Sequence, residues 1–177
     1  MIDLSSALRK IAFKIVLAGL SGACVAWIFF TQEHWLPASN EMFVLCAVGG
    51  LLFSIGVLFP CLNRTKSYWH RGLGLVAVAS LSFYSALLVA DNDMADPFYI
   101  RASLVGAFIV LVGARFSIPL KSFFRLLIAG LPAAIIGGIV FMQFPLDSYF
   151  PFIIWHILMA VTIHVAENWK WLTSNVE

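Results

Sequence analysis

Six apolar runs set the terms for this chain, at approximately 11–30, 42–62, 72–90, 98–115, 124–142 and 149–167. Each is about 18–21 residues long, the length that carries an α-helix across ~30 Å of hydrocarbon. No water reaches that depth to satisfy a backbone N–H or C=O. A segment there must therefore close its hydrogen bonds on itself, and runs of this length do so as helices. The connectors are too short to hold a soluble domain, and charged or proline-bearing breaks separate every pair of runs. The expected fold is all-α: a polytopic membrane helix bundle of six transmembrane helices, sequential neighbours antiparallel, forming one integral membrane domain over 1–177.

Composition excludes the competing classes. Hydrophobic residues make up 62% of the 177 and charged residues 11%, where a soluble domain carries about 25% charged. The net charge of +2, with basic residues dispersed through short loops, gives no footprint for nucleic acid. Cys24, Cys46 and Cys61 are odd in number, form no CxxC and lie in or beside apolar runs, so they are expected as buried thiols. Arg9 and Lys10 precede the first apolar run in the manner of a signal peptide, but that run has spanning length, and it is expected to be retained.

Charge asymmetry orients the bundle. Arg9, Lys10, Lys14, Arg64, Lys66, Arg71, Arg115, Lys121, Arg125 and Lys170 share one side, ten of the eleven basic residues. The other side holds Arg101 with Glu33, Glu41, Asp91, Asp93, Asp96 and Asp147. The positive-inside rule puts the basic side and both termini in the cytoplasm; with no targeting signal besides, the expected location is a bacterial inner membrane. The sequon Asn63-Arg64-Thr65 then faces inward and is inert. Trp27, Trp35, Tyr68, Trp69, Tyr149, Trp169 and Trp171 fall near the run ends, where amphipathic rings prefer the headgroup layer.

Small residues at four-residue spacing mark where helix backbones can approach. The pairs are Ala18 with Gly22, Gly19 with Ala23 and Ala102 with Gly106; run five carries the series Gly130, Ala134, Gly138. Run five is accordingly expected at the centre of the bundle, bent at Pro132.

Polar groups inside hydrocarbon are costly, which makes each a candidate site residue. The most concentrated set lies one to two turns below the acidic side: Tyr99 and Arg101 from run four, Tyr84 and Ser85 with the deeper Ser80 and Ser82 from run three, and His156 from run six. Asp91, Asp93 and Asp96 sit directly above. Their common depth predicts a polar pocket in which Arg101, which cannot easily shed its proton, pairs with an Asp or holds an anionic ligand. The three aspartates begin like a calcium loop but lack its sixth-position glycine and closing glutamate, so no metal site is expected from them. His156 and His164 are about 12 Å apart along one helix and cannot share a metal. His164 has a local partner three residues on in Glu167. His70 opens run three on the basic side, and His34 sits beside Glu33 at the opposite surface. No nucleophile elbow, HExxH or phosphate-cradling loop occurs, and no cofactor is expected.

One stretch carries a family likeness. Trp155-His156-Ile157-Leu158-Met159-Ala160 resembles the last helix of the membrane hydrolases that include alkaline ceramidases and adiponectin-type receptors. Ser80 to Leu87 (SLSFYSAL), followed by Asp91 and Asp93, is similar to their serine–histidine helix and following aspartate. That resemblance implies an intramembrane enzyme acting on a lipid. The family's zinc histidines are replaced here, by Tyr84 on run three and by Phe152 four residues before His156, and six runs stand in place of seven, so zinc hydrolysis does not carry over.

Three functions fit these residues. The first is a small-solute transport or channel protein, or a transporter's membrane subunit; with no central Asp, Glu or Lys to mark an ion route, it suits a neutral or amphipathic solute. The second is a non-catalytic membrane subunit or assembly factor. The third is an intramembrane enzyme acting on a lipid or isoprenoid, with His156 as acid/base and Arg101 as headgroup clamp. The expected partners are the lipid bilayer, further copies of the chain or a companion membrane subunit, and a small-molecule or lipid ligand.

Overall fold

A computed structural model describes residues 4–31, 41–61, 68–92, 98–117, 123–144 and 148–167, and every regular element among them is helical. The helices are α1 (Leu4–Thr31), α2 (Glu41–Phe53), α3 (Tyr68–Asn92), α4 (Phe98–Ser117), α5 (Phe123–Gln143) and α6 (Phe150–Glu167). All six apolar runs are covered. Four segments are long and apolar enough to cross a membrane: Leu8–Thr31, His70–Val89, Phe124–Gln143 and Phe150–Glu167.

The second run is not one uniform helix. After Phe53 it passes into a π-helical turn, Ser54–Leu58, and then a 3₁₀ turn, Phe59–Cys61. Pro60 supplies the physical reason. It has no N–H to return to a carbonyl one turn back. The register slips just before it, and the Phe59 N–H reaches the Ser54 carbonyl, five residues away.

Each helix packs on the next in sequence, and α6 closes back onto α1. The result is a cyclic, antiparallel arrangement. At one end, here called the basic end, the Lys14 Nζ donates to Glu167 Oε2 at 2.9 Å, tying the start of α1 to the end of α6. At the acidic end, Phe30 near the close of α1 meets Tyr149 just before α6, ring centroids 5.2 Å apart. The π turn lies inside the cycle, touching α1, α3 and α6.

This order corrects one expectation. Run five is not central: α5 packs on α4 and α6 and turns Phe124, Ile128, Leu131, Ile135, Ile136 and Ile139 outward. Its small residues do make the contacts foreseen for them. A Cβ at Gly138 would stand 2.6 Å from the Ile100 Cα, so only glycine lets α5 approach α4 that closely. Gly22 plays the same part between α1 and α6, where an added Cβ would lie 2.7 Å from the Phe152 carbonyl oxygen and 2.8 Å from the Ile153 Cα. Both neighbours are backbone and have no rotamer by which to yield. Cys46 is buried as expected, but Cys24 is exposed on the outward side of α1; a small apolar-like thiol costs nothing against lipid.

The space inside the cycle is filled in two layers. Toward the basic end lie aliphatic side chains at or near zero exposure: Leu58, Leu75, Leu111, Leu126, Met159 and Ile163. Toward the acidic end lies an aromatic layer of Phe53, Phe83 and Trp155.

Candidate functional site

Helix geometry gives each expected site residue a depth, and the fold then assigns its direction. At 1.5 Å of rise per residue, Arg101 lies about 5 Å along α4 from its start. His156 is about 9 Å into α6, and Tyr84 is about 12 Å short of the end of α3. The directions divide them. Arg101 is exposed while the next two residues, Ala102 and Ser103, are buried. Tyr84 is 40% exposed, whereas Phe83 turns its ring to the interior. Ser85 is half-buried. Tyr99 stacks on Phe141 of α5, centroids 6.3 Å apart and planes 16° from parallel. His156 is wholly buried. Asp91 belongs to the last turn of α3; Asp93 and Asp96 lie outside the described residues.

The deeper serines close the helix contacts. Ser82 Oγ donates to the Gly106 carbonyl at 2.7 Å, joining α3 to α4, and Ser80 Oγ donates to the Val76 carbonyl in its own helix. A second bridge went unforeseen in the sequence: Trp155 Nε1 donates to Ser103 Oγ at 3.0 Å, and that hydroxyl donates to the Ala134 carbonyl at 2.8 Å. Three helices, α6, α4 and α5, are thus linked through one serine. In hydrocarbon such a bond holds because the alternative is an unsatisfied group.

His156 is the chemical centre of the interior. Its Nδ1 lies 2.7 Å from the Phe152 carbonyl, one turn earlier in α6. A carbonyl can only accept, so Nδ1 carries the proton. Around the ring stand Phe53 at 5.0 Å, Trp155 at 5.8 Å and Phe83 at 6.3 Å between centroids. The Nε2 atom, completely buried, has no hydrogen-bond partner among the described residues. Ser54 Oγ, in the π turn, shares that condition. Sequence reasoning singled out His156 by its depth. It passed over Ser54 because one serine in a twenty-residue apolar run is ordinary, and only the Pro60 six residues on hints at the altered register.

The two positions where the ceramidase-type resemblance would place zinc histidines are otherwise engaged. Tyr84 faces outward, and Phe152 packs edge-on against Phe141 at 5.3 Å and tilted against Phe29 at 5.5 Å. Among the described residues, no three His, Cys, Asp or Glu gather closely enough to hold a metal ion. Glu167, expected as a local partner of His164, interacts electrostatically with it and also accepts from Lys14 at the far end of the sequence.

Comparison with known protein families, with characterised proteins and with solved structures found no match to this chain.

Proposed function

We propose that this chain is a multi-pass membrane protein that binds or passes a neutral or amphipathic small solute, as a small transporter or a transporter's membrane subunit. Its bacterial inner-membrane location with cytoplasmic termini is part of the same reading, supported by the charge asymmetry. One observation carries the solute reading: six helices in cyclic order surround an interior closed by an aromatic layer rather than by charge. A cyclic bundle has an axis along which a solute can travel, and an apolar constriction on that axis gates by excluding water. One charged pair, Lys14 with Glu167, sits at the basic end, away from that layer. Buried charge is what marks proton and ion routes, so the solute is one that carries none.

The test is reconstitution of the full chain into liposomes, with stopped-flow swelling in glycerol read beside a proton-sensitive dye. Glycerol entry rises above protein-free liposomes and proton leak does not. Trp155→Ala, which removes the largest ring of the constriction, raises solute entry a further ~10-fold. Equal glycerol entry in protein-free, wild-type and Trp155→Ala liposomes overturns the transport reading.

A second reading, a non-catalytic membrane subunit, draws on the outward surface. Phe13, Val16 and Leu20 of α1 and the isoleucines of α5 present broad apolar faces suited to lipid or to a companion helix. A stoichiometric companion chain co-purifying in mild detergent, together with a failed swelling assay, favours it.

A further inference from the structure

We infer that His156 Nε2 is the recognition atom of an interior site for a neutral molecule that presents an O–H donor on a small apolar or aromatic body. The inference rests on the reading of the bundle interior as a solute's place, and it names the chemistry that solute must have. Several observations converge on it.

The tautomer is fixed first. With Nδ1 donating to the Phe152 carbonyl, the neutral ring presents a bare lone pair at Nε2. A doubly protonated ring would bury an unpaired charge in an apolar layer, at far higher cost. The ring cannot readily turn the lone pair to another partner without breaking the bond at Nδ1. Nε2 is therefore an oriented acceptor, completely buried and without a partner among the described residues. Buried acceptors are nearly always satisfied in native proteins, so an acceptor held this way calls for a donor that the described residues do not supply in this arrangement.

The surroundings select the rest of that molecule. The ring centroids of Phe53 and Trp155 lie within 5.8 Å of that of His156. These π-faces suit a planar or aliphatic body and disfavour an ion. The site also has a way to open. Phe83, on α3, is only partly buried, and its centroid is more than 6 Å from each of Phe29, Phe53, Trp155 and His156. It is the ring of the layer that keeps partial exposure, while Phe53 and Trp155 are buried. The π turn adjoining Phe53 adds a helix whose register is already relaxed, a feature frequent at functional sites.

The required O–H comes from one of two sources, a phenol-like solute or a single water, and one experiment separates them. The full chain in nanodiscs, labelled with ¹⁵N-histidine, is titrated with 4-ethylphenol and separately with ethylbenzene, which has the same shape and no hydroxyl. A hydrogen bond donated to Nε2 moves its ¹⁵N resonance away from that of a free lone pair. For a phenol-like ligand, 4-ethylphenol moves the Nε2 signal, ethylbenzene does not, and the phenol binds ~10-fold tighter, the contribution of one buried hydrogen bond. His156→Phe removes that preference, and Phe83→Ala, which leaves Nε2 intact and opens the layer, strengthens phenol binding. For water, the Nε2 signal is already displaced before titration and neither compound alters it. Three results overturn the inference: that water pattern, a proton resident on Nε2, or a free-lone-pair signal that 4-ethylphenol leaves unmoved in both the wild type and Phe83→Ala. Because the readout is binding at one nitrogen, it is independent of whether the liposomes conduct solute.

Discussion

The two interior layers of this bundle are filled by different means. Toward the basic end, Leu58, Leu75, Leu111, Leu126, Met159 and Ile163 interdigitate with no polar atom among them. Toward the acidic end, Phe53, Phe83 and Trp155 enclose a histidine, and a serine bridges three helices. In hydrocarbon neither layer is driven together by water. Both are held by dispersion and by the cost of unmet hydrogen bonds. The aliphatic side chains contribute packing, with the Thr162 hydroxyl beside them turned to the Ala129 carbonyl of α5, while the aromatic layer contributes packing and carries an unspent acceptor. The contrast separates the part of the molecule that holds the helices together from the part equipped to recognise something.

Breaking the aliphatic layer should have the largest effect. Leu111→Ala removes a side chain at 1% exposure against which Gly130 of α5 is fitted, and it should cost about 2–4 kcal/mol. Reversible unfolding in mixed micelles measures this. A loss below ~1 kcal/mol would show that lipid or neighbouring side chains refill the space.

Gly22→Ala should follow, at about 1–3 kcal/mol by the same measurement, because the added methyl meets the backbone of Phe152 and Ile153. It should also disturb the aromatic layer more than Leu111→Ala does. Phe152 is the residue whose carbonyl orients His156, and near-ultraviolet circular dichroism of the tryptophans reports the difference.

The smallest effects sharpen the contrast inside the aromatic layer. Ser103→Ala leaves the Trp155 indole N–H without its acceptor and should cost about 1 kcal/mol. His156→Phe should be neutral or slightly stabilising, since it removes an acceptor that has no protein partner and substitutes a ring suited to its neighbours. If His156→Phe proved the more destabilising of the two, the histidine would be a structural member of the layer and the recognition reading would fail.

Much of this was legible in the residues themselves. The six runs mark the six helices because length and apolar composition are linear properties of a chain, and four segments have both in the measure that crossing hydrocarbon requires. The same constraint gave Arg101, Tyr84 and His156 a common depth. Azimuth is another matter. A soluble helix announces its buried face by confining apolar residues to it. Here the lipid side and the protein side are equally apolar, so nothing in the alternation of residues says that Phe83 turns in and Tyr84 out, or that Arg101 is exposed beside a buried Ser103. The small residues did signal contact faces, because close backbone approach needs them whatever the solvent. They misled about run five, since glycine and alanine record that a face is in contact and not how many helices surround it.

By itself, then, the sequence determined helix number, the apolar stretch within each helix and the charge asymmetry along the chain. The tertiary structure decided direction. It closed the helices into a cycle, relaxed the second run into a π turn before Pro60, and turned His156 into the aromatic layer while Arg101 and Tyr84 face outward. The physical reason is that depth follows from counting residues along one helix against a slab of fixed thickness. Direction follows only from which neighbours fit, and in a solvent as apolar as the core that choice is made by shape between helices distant in sequence.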